Sequence, residues 1–294
     1  MYYLGCPMWA NPRWQGTLYQ ANSASATFLN QYSRFFNAVE GNTTFYADPS
    51  PETITRWLQQ SAADFRFNLK VPRAISHQSA SQQSRSAEQL VQWLDLIQPL
   101  ASNIGFVHLQ LSASVDPALL AGYQPLLELI RARYRCALEI RHPAFFDKSV
   151  HEPALHQLLR ATGCERVVLD SRALFATPAT TAALQDAQQK KPRLPVHVCA
   201  LTEQPVFRFI GSDDLSLNRQ FYQPWLGKMQ QWLQEGKTPF GFFHTPDNAQ
   251  APLLARQFAE DLQQRCGVSH PVLQPWPVAP AEPQLALFAE PNEC

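Results

Sequence analysis

No stretch of this sequence is apolar over the length needed to span a bilayer, and its first residues, MYYLGCPMW, lack the basic region and apolar run of a secretory signal. Such a protein is expected to work in a reducing cytoplasm, with no membrane among its partners. The cysteines Cys6, Cys136, Cys164, Cys199, Cys266 and Cys294 lack any CxxC or Cys/His pairing at zinc-ligand spacing, so they read as buried free thiols. Neither sign of charge is in excess: 24 basic residues meet 24 acidic ones, so no global field draws in nucleic acid or an anionic surface. Any such partner must be met by a local patch. Also missing are GxGxxG after a strand, GxxxxGK[ST] and GxSxG, which removes support for dinucleotide, P-loop and nucleophile-elbow chemistry.

What is present is a repeated alternation. Runs rich in β-branched and aromatic residues begin at Tyr2, Phe35, Phe65, Gly105, Cys136, Arg166, Val206 and Pro239, about every 30 to 40 residues. Between them lie segments of helical period with start signals at Ser50-Pro51-Glu52, Asp116-Pro117 and Pro246. Eight such units within about 265 residues predict an α/β fold, a single-domain (β/α)8 barrel of the TIM type over residues 1–267, with an open doubly wound sheet as the alternative. The long connection from Arg172 to Pro205 predicts a loop with a short helix at the functional rim. From residue 268 to 294 prolines accumulate and core-forming residues thin out, predicting a disordered Pro-rich tail.

In a parallel barrel, alternate strand residues face the helices and the axis. Read in that phase, Glu40, Asn42, Asn68, Lys70, His108, Gln110, Ala137, Glu139, Arg141, Asp170 and Arg208 face inward, while the Phe-rich last strand leaves His244 ambiguous. Glu40, Lys70, Glu139, Arg141, Asp170 and Arg208 fall near the C-terminal ends of different strands, where this fold builds active sites. Buried charges are costly even when paired, so stability alone explains such a group poorly; the rival reading is a salt-bridge network filling the barrel mouth. As a catalytic set, Glu40, Glu139 and Asp170 would share acid/base duty, and Lys70, Arg141 and Arg208 would neutralise a phosphate or carboxylate. Trp9, Asn42, Tyr46, His77, Gln110, His142, His244 and Asn248 are the candidate substrate contacts. Trp14, Tyr19, Phe45, Tyr222 and Trp225 join Trp9 and Tyr46 as rings that either stack on bases or sugars or pack as a lid. A divalent metal would need His77, His142, His244, Glu139 and Asp170 to converge, and no HxH or HExxH spacing supports that, so no metal ligand and no cofactor is assigned.

The strings VEGNTTFY, FNLKVPRAISH, EIRHPAFF and FRFIG, taken together and in order, resemble domain-of-unknown-function family 72, the YecE-like family, over about residues 2 to 265. The resemblance implies a (β/α) barrel of the bacterial cytoplasm and leaves the reaction open. The opening of the family pattern, a Gly-Thr/Cys-Ser-Gly-Trp-like turn, is altered here to Gly5-Cys6-Pro7-Met8-Trp9. Near the end, QLALF (Gln284, Leu285, Leu287 and Phe288 at its fixed positions) is similar to the peptide by which bacterial proteins bind the DNA sliding clamp. Leu287 and Phe288 would fill an apolar pocket and Gln284 would hydrogen-bond at its rim; the alternative is an apolar tail folded back on the barrel.

These features predict an enzyme acting on an anionic, phosphate-bearing substrate, with nucleic-acid or nucleotide hydrolysis the most natural reaction and the clamp as partner. The alternatives are a non-catalytic module that binds nucleic acid or a small anion, and an isomerase or lyase of a small sugar-like metabolite.

Overall fold

The computed structural model describes residues 1–78 and 83–277. Each apolar run forms a strand: β1 Tyr3–Gly5, β2 Ala38–Gly41, β3 Arg66–Lys70, β4 Ile104–Gln110, β5 Cys136–Glu139, β6 Glu165–Asp170, β7 Val206–Ile210 and β8 Phe240–His244. They pair in parallel in the order β1-β8-β7-β6-β5-β4-β3-β2, with helices in the crossovers, which is the (β/α)8 barrel expected from the spacing of the runs.

The two ends of that order, β1 and β2, close the barrel chiefly through side chains. One backbone hydrogen bond crosses the seam, from the Glu40 N–H to the Cys6 carbonyl at 3.0 Å. The Asn37 amide oxygen accepts from Leu4 N–H at 2.9 Å while its nitrogen donates to the Tyr2 carbonyl at 2.9 Å. The Tyr32 hydroxyl accepts from Cys6 N–H at 2.7 Å and donates to the Ala38 carbonyl at 3.0 Å. Edge groups that the sheet ladder leaves unpaired are thus satisfied inside the protein, as buried backbone requires. Gly5 belongs to the same closure, because a β-carbon there would lie 2.3 Å from the Ala38 carbonyl oxygen.

Inside, Tyr3, Ala38, Phe106, Ala137, Val167, Val206, Phe240 and Phe242 fill the lower barrel, with Tyr3 and Phe240 stacked at 4.4 Å. Outside, Val39, Phe67, Leu69, Val107, Leu109, Leu138, Val168, Phe207, Phe209 and Phe243 pack under the helices. Burying such side chains contributes about 1.5–3 kcal/mol each. This layering leaves the C-terminal strand ends as the place where inward polar residues gather.

Three sequence expectations need correction. First, β6 runs in the opposite phase: Val167 lies in the interior cluster and Val168 in the outer one, so Asp170 points toward the helices. There it accepts from Arg172 Nε at 2.9 Å and Nη2 at 2.7 Å and from Trp225 Nε1 at 2.8 Å. Second, the signal at Pro246 is early by several residues. Asn248 adopts a left-handed φ of 60° in a turn that delays the helix to Ala251–Cys266. The signals at Ser50 and Asp116 do cap helical segments, Pro51–Gln60 and Pro117–Tyr123.

Third, residues 268–277 pack against the barrel. His270 is buried; its Nδ1 accepts from Val272 N–H at 3.1 Å and its Nε2 donates to Asn37 Oδ1 at 2.9 Å, at the β1–β2 seam. Trp276 donates to the Val272 carbonyl at 3.1 Å and lies under the Arg256 guanidinium at 5.0 Å. A run that looks proline-rich in sequence is held by one histidine and one tryptophan. The residues Gln284, Leu285, Leu287 and Phe288 lie outside the described residues.

The long connection after β6 forms the helices Arg172–Ala176 and Ala182–Lys190, the second capped by Thr181. Leu174, Leu184 and Ala187 of these helices pack with Leu169 and Ile210, which end β6 and β7, and so cover one side of the barrel mouth with apolar side chains.

Candidate active site at the barrel mouth

Strand register sets the site. Lys70 of β3 is level with His108 of β4, and Gln110 of β4 with Glu139 of β5, so four inward polar residues occupy two successive rungs. Glu40 enters from β2, Arg208 from β7 and His244 from β8. Alternation with the interior residues Phe240 and Phe242 fixes His244 inward, which the sequence left open.

Arg208 is the hub. Its Nε and Nη2 donate to the two oxygens of Glu40, and its Nη1 donates to Glu139 Oε2 at 2.8 Å. Glu139 also accepts from Arg141 Nε at 2.6 Å, and His244 Nε2 stands 2.9 Å from Glu40 Oε2. All three hub groups are almost wholly withdrawn from water, at 1% exposure for Glu40, 0% for Glu139 and 1% for Arg208. Burial alone would raise both carboxyls. Arg208 and His244 at Glu40, and Arg141 and Arg208 at Glu139, overcome it and hold both well below the ordinary carboxylate range. His244 is pushed down to about 3 by burial, with Arg208 adding to the effect against Glu40, and so is neutral.

Lys70 is different. The residue is 4% exposed, and its ammonium donates to a neutral acceptor, Gln110 Oε1, at 3.0 Å. Among the described residues no carboxylate lies within ion-pair distance of it. Burial and the Arg208 and Arg141 guanidiniums outweigh the pull of Glu139 and Glu40, and its pKa is pushed down to about 7. Gln110 Oε1 accepts from Arg141 Nη2 as well, at 3.0 Å, which brings Lys70 and Arg141 onto one oxygen. Beside Lys70, His108 is pushed by burial and then by Lys70 to about 4. Its Nε2 is 3.2 Å from Glu139 Oε2 but misaligned for a hydrogen bond, and neither ring nitrogen has a hydrogen-bond partner among the described residues.

The remaining sequence candidates divide. Asn42 donates to Glu40 Oε2 at 3.3 Å and to the Pro7 carbonyl at 2.9 Å. With Trp9, Met8 and Tyr46 it borders a largely apolar cavity of about 180 Å³ that touches Glu40. Tyr46 is 79% exposed there, whereas Trp9 also packs edge-on against Trp57 at 5.3 Å. His77 bonds Ser76 through Nδ1 at 3.0 Å and stands edge-on to Phe45, its pKa lowered by burial and then by Arg73 and Arg141. His142 uses Nδ1 to cap the turn Pro143–Phe145, and Asn248 shapes its own turn while its carbonyl accepts from Trp14 at 2.9 Å. Those two have local structural roles. Trp14, Tyr19, Tyr222 and Trp225 are buried in the outer core, so for them packing is the observed arrangement.

Asp170 on the helix side and His142 in its turn do not converge with His77, His244 and Glu139. Among the described residues no three His, Cys, Asp or Glu side chains gather to hold a metal ion.

One mouth residue was not found from sequence. Lys191 follows the helix Ala182–Lys190, and its ammonium lies in the field of Arg208, Arg141, Glu40 and Glu139. Burial, then Arg208 and Arg141, push it down to about 8. A lysine pair at a helix end reads as solvated in sequence, and Lys191 is in fact half-buried where the chain turns back past Ser171, whose hydroxyl donates to the Pro192 carbonyl at 2.8 Å.

The profile of the family described as "Protein of unknown function DUF72" matches residues 3–279. The chain belongs to the DUF72 family. It is 43% identical over 264 residues to the UPF0759 protein YecE of Escherichia coli strain K12 and, equally, to that of strain O157:H7, covering 90% of this chain and 93% of each relative. Its barrel is similar to a solved DUF72 family protein of Thermotoga maritima MSB8, with a TM-score of 0.66 and 23% identity over 90% of this chain and 99% of that one. A DUF72 family protein of Enterococcus faecalis V583 superposes with a TM-score of 0.67 and 16% identity, covering 92% of this chain and 97% of that one. These two likenesses establish the fold of the DUF72 barrel.

Arg208→Met tests the hub. Removing one partner of a buried ion pair is expected to cost about 3–5 kcal/mol at neutral pH, because Glu40 keeps its burial and loses its guanidinium partner, while Glu139 is left with Arg141 alone. Both carboxyls titrate below their ordinary 4.5 in the folded chain, so their stabilisation is complete above that pH and is lost as the pH falls through the folded values. The deficit of the variant, measured by urea unfolding across pH, should therefore shrink as the pH approaches the carboxylate range.

Proposed function

We propose that this DUF72 barrel is an enzyme acting at its mouth on a small phosphate-bearing substrate, with Lys70 as the group that carries the proton. The observation behind this reading is a mismatch of committed charge. Four cations, Arg208, Lys70, Arg141 and Lys191, face two carboxylates, and both carboxylates are already engaged by Arg208. Arg141 Nη1 and the Lys191 ammonium have no partner among the described residues. An excess of cations over carboxylates on a low-dielectric floor, with Arg141 paired to Glu139 through Nε alone, favours a ligand that brings negative charge.

The division of labour differs from that expected from sequence. Carboxylates held ionised by a guanidinium are poor proton carriers near neutrality, whereas an amine near pH 7 suits the task. Glu40 and Glu139 therefore position Arg208, and Lys70 takes the acid/base role. The cations are recessed, Lys70 being 4% exposed and the Arg141 side chain 17%, which favours a nucleotide or another small metabolite over the backbone of a polymer. No helix of the described residues is long and apolar enough to cross a membrane, and the free thiols of Cys6, Cys136 and Cys164 suit a reducing cytoplasm.

Two measurements follow. Inorganic phosphate should bind the full chain in calorimetry, and Arg141→Met and Lys191→Met should each weaken it by about tenfold or more, the loss expected for a charge-assisted contact. Absence of phosphate binding, or binding indifferent to both changes, contradicts the reading. For the tail we propose docking to the DNA sliding clamp through Gln284, Leu285, Leu287 and Phe288. The full chain should bind the clamp with about micromolar affinity and lose it on combined Leu287→Ala and Phe288→Ala; equal behaviour of both proteins removes the clamp from the account.

A further inference from the structure

We propose that Lys70 forms a covalent imine with the carbonyl carbon of its substrate, so that the ligand of the mouth is a small phosphorylated or carboxylated aldehyde or ketone. The inference rests on the anion-site reading above and adds the second functional group of the substrate.

Lys70 is placed poorly for a charge clamp and well for a nucleophile. A lysine that serves as a fixed positive charge pairs with a carboxylate or reaches into solvent. Lys70 does neither: it is buried at the end of β3 and its hydrogen bond goes to the neutral oxygen of Gln110. The charged and titratable groups that face it are Glu40 from β2, His108 from β4, Glu139 from β5, Arg141 just beyond β5, and Arg208 from β7, and the Phe45 ring lies 5.9 Å from its nitrogen. Both carboxylates among them are turned to Arg208, and the two guanidiniums oppose a proton on the amine. Burial beside other cations is the general way a lysine amine is made nucleophilic at neutral pH.

The geometry also separates the two ends of such a substrate. Arg141 shares Gln110 Oε1 with Lys70, which puts its guanidinium within two hydrogen-bond lengths of the Lys70 nitrogen, and Lys191 lies in the same field. An anionic group held by Arg141 and Lys191 leaves a carbonyl a few bonds away over Lys70. The neutral amine attacks the carbonyl carbon, and a C–N bond forms as the π pair moves to oxygen, which takes up a proton while the nitrogen loses one. The carbinolamine C–O bond then breaks, oxygen leaves as water with a second proton, the nitrogen lone pair completes C=N as a protonated imine, and loss of the remaining N–H proton balances the one that left with the water. One water is released and no oxidant or metal is consumed. The His108 ring, adjacent across the rung, with Nε2 3.2 Å from Glu139 and Nδ1 without a hydrogen-bond partner among the described residues, is positioned to pass these protons.

Pyridoxal 5′-phosphate joins an aldehyde to a phosphate and is the probe for the full-length protein. After brief exposure, borohydride reduction and peptide mass mapping, Lys70 should carry the adduct about tenfold faster than Lys148, Lys190, Lys191, Lys228 or Lys237, as an activated amine would. Excess inorganic phosphate should protect it. Lys70→Arg, which keeps a cation at the position, should abolish that adduct while retaining the folded circular dichroism spectrum and phosphate binding. Labelling confined to Lys191 or to surface lysines, with phosphate still bound, overturns the imine and leaves the anion site standing. Labelling of Lys70 that phosphate neither blocks nor slows supports the condensing amine and overturns the anion site.

Discussion

A single guanidinium with its two carboxylates is the constraint on which the mouth of this barrel depends. Arg208 occupies both oxygens of Glu40 and one of Glu139, tying β7 to β2 and β5 across the axis. Taking these charges out of water is expensive, and an apolar filling of the same volume would be no less stable by the general behaviour of buried ion pairs. What the arrangement does is fix protonation. With Glu40 and Glu139 held ionised, the mouth groups whose pKa is brought toward neutrality are Lys70, at about 7, and Lys191, at about 8.

The rest of the fold serves that arrangement. An aromatic lower barrel gives the charged layer a dry floor, the Leu169–Ile210 cluster covers its β6–β7 side, and a cavity lined by residues that follow β1 and β2 touches Glu40. Closure between β1 and β2 rests on Asn37 and Tyr32, which places Glu40 of β2 against β8 and so against His244. His270, from a segment that sequence assigns to a tail, bonds the same Asn37. Thus the chain beyond the last helix helps to hold the seam on which Glu40 depends.

Much of this was legible from residue order. Strand β3 alternates polar and apolar residues, β4 does so over His108, Leu109 and Gln110, and the run from Cys136 to Arg141 places Leu138 and Ile140 opposite Glu139 and Arg141, so the inward placement of Lys70, Gln110, Glu139 and Arg141 could be read directly. β6 could not be phased that way: Val167, Val168 and Leu169 are all apolar, and the polar residue that ends the strand carries no sign of which face it takes. Trp225, fifty-five residues further on, supplies the partner that turns Asp170 outward. Lys191 escaped because its inward turn is set by the packing of two short helices on Leu169 and Ile210. The roles within the cluster were hidden for another reason: which carboxylate is free and which is bound depends on hydrogen bonds among strands far apart in sequence.

The most direct test of this account is the titration of Lys70 itself. In protein labelled with ¹³C at lysine Cε and assigned with Lys70→Arg, the account predicts a Lys70 midpoint of about 7, well apart from the ordinary lysine value of 10.5. A midpoint close to that ordinary value would mean that the amine is a fixed charge at neutral pH, and the proton-carrying and nucleophilic roles assigned to Lys70 would both be contradicted.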